Sequence, residues 1–149
     1  MEDLDEQDRQ IVRLLASDGR MSYTDLAKVT KLSTSAAHQR VRRLEQRGVI
    51  KGYAALVDLE SIGLPLTAFI SVSPIDPADP DDIADRLVPL AAVEGCYSVA
   101  GDQNYILKVR VASPGALETL LGEVRSTAHV TTRTTVVLSV PYENRPPPI

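Results

Sequence analysis

The chain has 149 residues, 44% of them hydrophobic, and carries 16 Lys/Arg against 20 Asp/Glu for a formal net charge of −4. A chain of that length buries one good core or two small ones. No apolar stretch approaches the roughly 18 residues that a membrane span needs, no signal-peptide core is visible, and the lone Cys96 excludes an intrachain disulfide. A soluble, cytoplasmic protein is expected, without a metal or other cofactor, because no Cys/His spacing suggests a zinc site.

The first helix is expected to begin after Asp5, an N-cap candidate, and to carry Ile11, Val12, Leu14 and Leu15 on one apolar face, with Gly19 as its stop. A second helix opens at Ser22 with Asp25 three residues on, a capping-box pattern, and should bury Leu26, Ala27 and Val29. Leu32 packs into the following turn, and Ser33 caps a third helix that ends before Gly48. These three helices make a small bundle over residues 1–51. Residues 52–64 read as an extended linker, in which Tyr53, Ala55 and Val57 alternate like a strand and Pro65 breaks the run.

Residues 65–141 alternate period-two and helical patterns. Residues 66–72 are β-prone, and Asp79, Asp81 and Asp82 lead into an acid-capped helix with Ile83, Leu87 and Leu90. Residues 96–100 and 105–111 are two strands flanking the turn Gly101-Asp-Gln-Asn104. Leu117, Leu120, Leu121 and Val124 mark another helix, and residues 130–140, rich in Thr and Val, a last strand. The order βαββαβ predicts an α+β ferredoxin-like sandwich, an antiparallel sheet with both helices on one face. Its other face should pair with a second subunit, so a homodimer is expected. Residues 142–149 form a proline-rich tail, expected to lie extended on the surface.

The net charge conceals an asymmetry. Residues 21–51 hold seven basic groups and two acidic ones, a net of +5, while the rest of the chain is acidic. That is a cationic module beside an acidic body, or a solvated helix face. On a 100° wheel, Ala37, Val41 and Leu44 form the buried seam of the third helix. Opposite lie Ser35, Gln39, Arg42, Gln46 and Arg43, with His38 and Arg40 on the flanks. Gln and Arg suit bidentate contact with adenine and guanine edges, and recognition helices reach bases from their N-terminal half. Ser35, His38, Gln39 and Arg42 are therefore the candidates to read bases on double-stranded DNA. Arg43, Arg47 and Lys51 are candidates for phosphate contact, and Lys28 and Lys31 can grip the backbone beside the helix.

Several motifs carry a family resemblance. Leu4-Asp-Glu-Gln-Asp8, Asp18-Gly-Arg20, Leu32-Ser-Thr-Ser35, Arg40-Val-Arg-Arg-Leu-Glu-Gln-Arg-Gly-Val-Ile50, Val99-Ala-Gly-Asp-Gln-Asn-Tyr-Ile-Leu-Lys-Val109 and Thr132-Arg-Thr-Thr-Val-Val-Leu138 resemble the Lrp/AsnC feast/famine regulators in order and place. The resemblance implies a winged or plain helix–turn–helix, a ferredoxin-like effector domain, and dimers that assemble further, often into octamers. It implies an amino-acid effector and control of genes of amino-acid metabolism. On that basis an effector site is expected around Gly101, Asp102, Asn104 and Tyr105, completed by Thr132, Thr134 and Thr135 of a neighbouring dimer. The same residues also read as a plain hairpin turn and a β-prone strand.

Two positions depart from the family pattern. Lys31 stands where the turn usually carries glycine, at a cost of roughly 1 kcal/mol if the backbone is left-handed. Asn104 stands where an aspartate usually precedes the tyrosine, which keeps the hydrogen bonds and loses the charge that would pair an α-ammonium. Asp102 can supply that charge instead. The layout also resembles some tetrapyrrole-modifying decarboxylases, but the second half offers only His129 as a histidine and no nucleophile–base pair, so no enzymatic activity is expected. Cys96, in an expected strand, reads as a packed residue. A helix–turn–helix that binds protein is the remaining alternative.

Overall fold

The computed structural model describes residues 4–149, in two compact units: residues up to Leu56 together with Pro141–Ile149, and Val57–Val140. In the first unit α1 (Glu6–Ser17), α2 (Tyr23–Thr30) and α3 (Thr34–Gln46) begin where short polar side chains satisfy their free amides. Asp5 accepts from the Asp8 amide at 2.8 Å, Ser22 from Asp25 at 3.1 Å, and Ser33 from Ala36 at 3.1 Å. The Ser22 hydroxyl in turn donates to the Asp25 carboxylate at 2.7 Å, which holds the Asp25 pKa below its usual range.

The three helices close on Ile11, Leu15, Leu26, Ala27, Ala37, Val41 and Leu44. Val29 is not among them: it is 47% exposed, and the expectation that it is buried is corrected. On α2 the inward arc runs through Leu26, Thr30 and Ala27, with Val29 about 100° away from its centre. Thr30 takes the buried place and satisfies its hydroxyl by donating to the Leu26 carbonyl at 2.7 Å. Gly19 lies past the α1 C-cap Asp18 but has no positive φ, so α1 stops without a left-handed glycine. Gly48, at φ +70°, ends α3 in that way, with the Val49 amide donating back to the Leu44 carbonyl at 2.9 Å. No strand forms in this unit among its described residues, and residues 51–58 are irregular and mostly exposed.

The second unit has the order β1 (Leu66–Pro74), α4 (Ile83–Leu87), β2 (Val93–Ser98), β3 (Tyr105–Val111), α5 (Pro114–Ala128) and β4 (Val130–Val136). The antiparallel sheet runs β2-β3-β1-β4, the ferredoxin-like βαββαβ arrangement. Alternation assigns the faces. Ala68, Ile70 and Val72 of β1, with Leu107 and Val109 of β3, pack beneath Ile83 and Leu87 of α4 and Leu117, Leu120 and Val124 of α5. Thr67, Phe69, Ser71 and Ser73 point to the face that neither helix covers.

Three expectations need correction here. Helix α4 is a five-residue turn that excludes Leu90, and Asp82 gives it no side-chain cap, because its carboxylate accepts from Arg86 Nε at 3.0 Å instead. The last strand ends at Val136, after which Leu138 is 96% exposed. Cys96 is exposed rather than packed, because β2 is an edge strand, and partial burial still raises its thiol pKa, the opposite of what a nucleophile requires.

Candidate functional site

The turn between α2 and α3 sets the reading helix. Lys31, the α2 C-cap, has φ 57° and ψ 35°, the left-handed conformation that glycine adopts freely and lysine only at a cost. The conformation is held because the Lys31 and Leu32 amides both donate to the Ala27 carbonyl. Lys31→Gly is expected to raise the stability of this unit by roughly 1 kcal/mol, read as a higher melting temperature. An unchanged or lower melting temperature would show that the turn carries no strain.

Helix α3 buries Ala37, Val41 and Leu44 and turns the rest outward. Ser35, His38, Gln39, Arg42, Arg43 and Arg47 are all exposed, as are Lys28, Lys31 and Lys51, so the structure leaves every residue of the expected DNA surface accessible. Local contacts are seen at His38 and Lys28, among others. The His38 ring meets Tyr23 edge-on, with centroids 4.7 Å apart, and Lys28 lies 3.5 Å from Asp25.

Arg40 does something different. Its guanidinium donates to Asp5 Oδ2 at 2.6 Å and Asp8 Oδ1 at 2.7 Å, pinning α3 to the first turn of α1. The two carboxylates raise the Arg40 pKa further, Asp5 contributing more than Asp8. One of the seven basic groups of residues 21–51 is thus spent inside the bundle, which the charge count could not reveal.

In the second unit, the loop after β2 and the ends of β1 and β4 enclose a polar cleft of about 260 Å³ lined by Ser71, Ser73, Asp102, Gln103, Thr131, Thr132 and Arg133. Sheet register explains the lining: Ser71 sits opposite Arg133 and Ser73 opposite Thr131, all on the uncovered face. Of the expected effector residues, only Asp102 and Thr132 line this cleft. Gly101 lies in the same loop, and Asn104 closes it, its amide donating to the Val72 carbonyl at 3.1 Å. Tyr105 faces the other way: it is 9% exposed, belongs to the core, and its hydroxyl donates to Asp81 Oδ1 at 2.6 Å, which pushes its pKa up. Its side chain therefore turns away from this cleft, where it was expected. Thr134, opposite Ile70, lies on the helix-covered face and Thr135, opposite Phe69, on the open one, so one strand sends them in opposite directions. The Thr132 hydroxyl accepts from Arg125 of α5 at 3.2 Å. Arg133 and the Ser71/Ser73 pair, which line the cleft, were not among the residues expected from sequence, although the serines alternating with apolar residues on β1 were a visible signal.

A three-helix unit with a basic outward face on α3, joined in one chain to a sheet unit with a polar cleft, has the organisation of a helix–turn–helix regulator with a ligand-binding domain. The sequence pattern of winged helix-turn-helix DNA-binding domains matches residues 4–51, and that of the Lrp/AsnC ligand binding domain matches residues 67–147. The HTH-type transcriptional regulator LrpA of Mycobacterium tuberculosis is 51% identical over 144 residues, covering 97% of this chain and 96% of its own. The leucine-responsive regulatory protein of Escherichia coli is 37% identical, with 96% and 90% covered. A feast or famine regulatory protein of M. tuberculosis complexed with L-methionine superimposes with a TM-score of 0.94 at 50% identity, over 96% of this chain and 97% of that one. The chain belongs to the Lrp/AsnC family. No helix among the described residues is long and apolar enough to cross a membrane.

Proposed function

We propose that the chain regulates transcription of amino-acid metabolism by binding a pseudo-palindromic DNA operator as a homodimer, with half-sites about one helical turn apart, and that a free amino acid modulates it. The observation that carries this reading is the uncovered arc of α3, where Ser35, His38, Gln39 and Arg42 stand outward from a helix anchored on its other side. Residues 1–51 then read DNA, 52–64 connect, 65–141 bind effector and partner subunit, and 142–149 follow as a tail. The open sheet face, with Phe69 and Tyr97 exposed, is the surface for a second copy, and dimers are proposed to assemble towards an octamer.

The cleft between Asp102 and Arg133 suits a zwitterion, since a guanidinium pairs with an α-carboxylate and a carboxylate with an α-ammonium. Two relatives solved with L-methionine, from M. tuberculosis and Neisseria meningitidis, support an amino-acid ligand. Arg133→Ala and Asp102→Ala are each expected to weaken amino-acid binding by about tenfold or more, the loss of one charge-assisted hydrogen bond. Calorimetric titration with the common amino acids checks this. A flat trace from every amino acid with the unaltered chain would sink the effector reading.

Fluorescence anisotropy with the gene's own upstream DNA tests the DNA reading. Binding should weaken steeply with salt, by a slope of about 0.9 per phosphate neutralised. Binding that ignores salt, or none at all, would point to a protein partner for the helix–turn–helix.

A further inference from the structure

The N-terminal unit has a second surface, separate from its DNA arc. Val12, Leu15 and Ala16 of α1 and the stretch from Val49 to Tyr53 form an apolar groove of about 250 Å³, and the remaining wall is Pro147. A wider cleft beside it, about 460 Å³, runs past Gly19 and Tyr53 to Asn144 and Arg145. Residues 141–149 thus pack with this unit, although residues 57–140 form the other one.

Tyr53 is the shared wall. A Cβ on Gly19 would lie 3.3 Å from the ring's Cδ1, so the missing Cβ leaves the ring room there. Its hydroxyl donates to Glu45 Oε1 at 2.9 Å, and burial, with Glu45, pushes its pKa up to about 12. The segment that shares these clefts with it carries Pro141, Pro146, Pro147 and Pro148. Consecutive prolines are already extended and stiff, so they lose little entropy on docking, and aromatic-lined apolar grooves are their usual receptors. Within the segment the Arg145 guanidinium rests 3.9 Å over the Tyr142 ring.

We infer that this face of the N-terminal unit is a docking surface for the proline-rich residues 141–149 of this protein, which close the groove from the other side and give the reading unit a second tether. Residues 51–58 form no helix or strand, and Gly52 and Gly63 have φ of +155° and +80°. A unit held at one point of the chain is freer than one held at two, and that freedom lowers the effective concentration of the second α3 at its half-site. A docked proline segment removes much of that freedom. The consequence for DNA rests on the function proposed above; the docking does not.

Hydrogen exchange on the intact chain, on a chain terminated after Val140, and on the full-length Ala16→Glu variant tests the docking. Ala16 is exposed and lies outside the core, so the substitution charges the groove without unpacking the helices. Faster exchange over residues 12–19 and 49–56 is expected in both altered chains, restored in the truncated one by adding a 141–149 peptide. Operator affinity should fall about tenfold in both, with amino-acid affinity unchanged. Unaltered exchange would overturn the docking, and faster exchange with undiminished operator affinity would overturn the tether. An intact chain that binds no DNA would instead remove the proposed function and leave the docking standing.

Discussion

Arg40→Ala should destabilise the N-terminal unit by about 2–3 kcal/mol, below the 3–5 of a fully buried pair because the site is partly wet. The Arg40 side chain is 21% exposed, Asp8 7% and Asp5 54%, so removing the guanidinium strands one buried carboxylate and frees one exposed one. The effect should depend on pH. The Asp5 pKa is lowered, first by the Asp8 amide and then by Arg40. A carboxylate with a depressed folded-state pKa contributes stability above its unfolded pKa, about 3.9, and loses it as pH falls through the lower folded value. The difference between the two chains should therefore be complete at neutral pH and shrink below about pH 4. Urea unfolding followed at several pH values measures it, with the two units fitted separately because one transition need not describe both. An early transition that does not move at pH 7 would mean that the 2.6 and 2.7 Å contacts to Asp5 and Asp8 contribute nothing net.

Two residues along, Arg42→Ala should leave stability alone and alter what the protein binds. Arg42 is exposed on the arc opposite Val41 and Leu44. A bidentate contact from arginine to a guanine edge discriminates by about 1–3 kcal/mol, so operator affinity should fall roughly 10- to 100-fold while binding to unrelated DNA changes little. Lys51→Ala and Arg43→Ala should weaken all sequences alike and reduce the salt slope by about one. Competition anisotropy with operator and scrambled duplexes separates the two patterns. Equal weakening on both duplexes by Arg42→Ala would place that side chain on phosphate instead.

What was legible in the chain was whatever its neighbours in sequence decide. Asp5, Ser22 and Ser33 cap helices through amides three residues away. The seam of Ala37, Val41 and Leu44 follows from helical period, and the four strands from alternation. The misreadings come from contacts made across the fold. Val29 and Thr30 exchange places because a threonine can satisfy itself on its own helix. Cys96 is exposed because β2 became an edge, and Tyr105 is buried because its position in β3 puts it on the helix side, where Asp81 receives its hydroxyl. Arg133 acquires its neighbours only once β4 is in register with β1. Arg40 looked like part of a basic face because its partners lie 32 and 35 residues earlier.

Strand β4 divides its labour by parity. Val130, Thr132 and Thr134 sit on the side packed by α5, while Thr131, Arg133 and Thr135 sit on the open side, where the first two line the cleft and Thr132 reaches only its rim from the packed side. If the cleft is the effector site proposed above, substitutions at the odd positions retune which small molecule is accepted without unsettling the core. A lineage of such proteins could therefore diversify what it senses while keeping one scaffold, at the cost of only a residue or two per new preference.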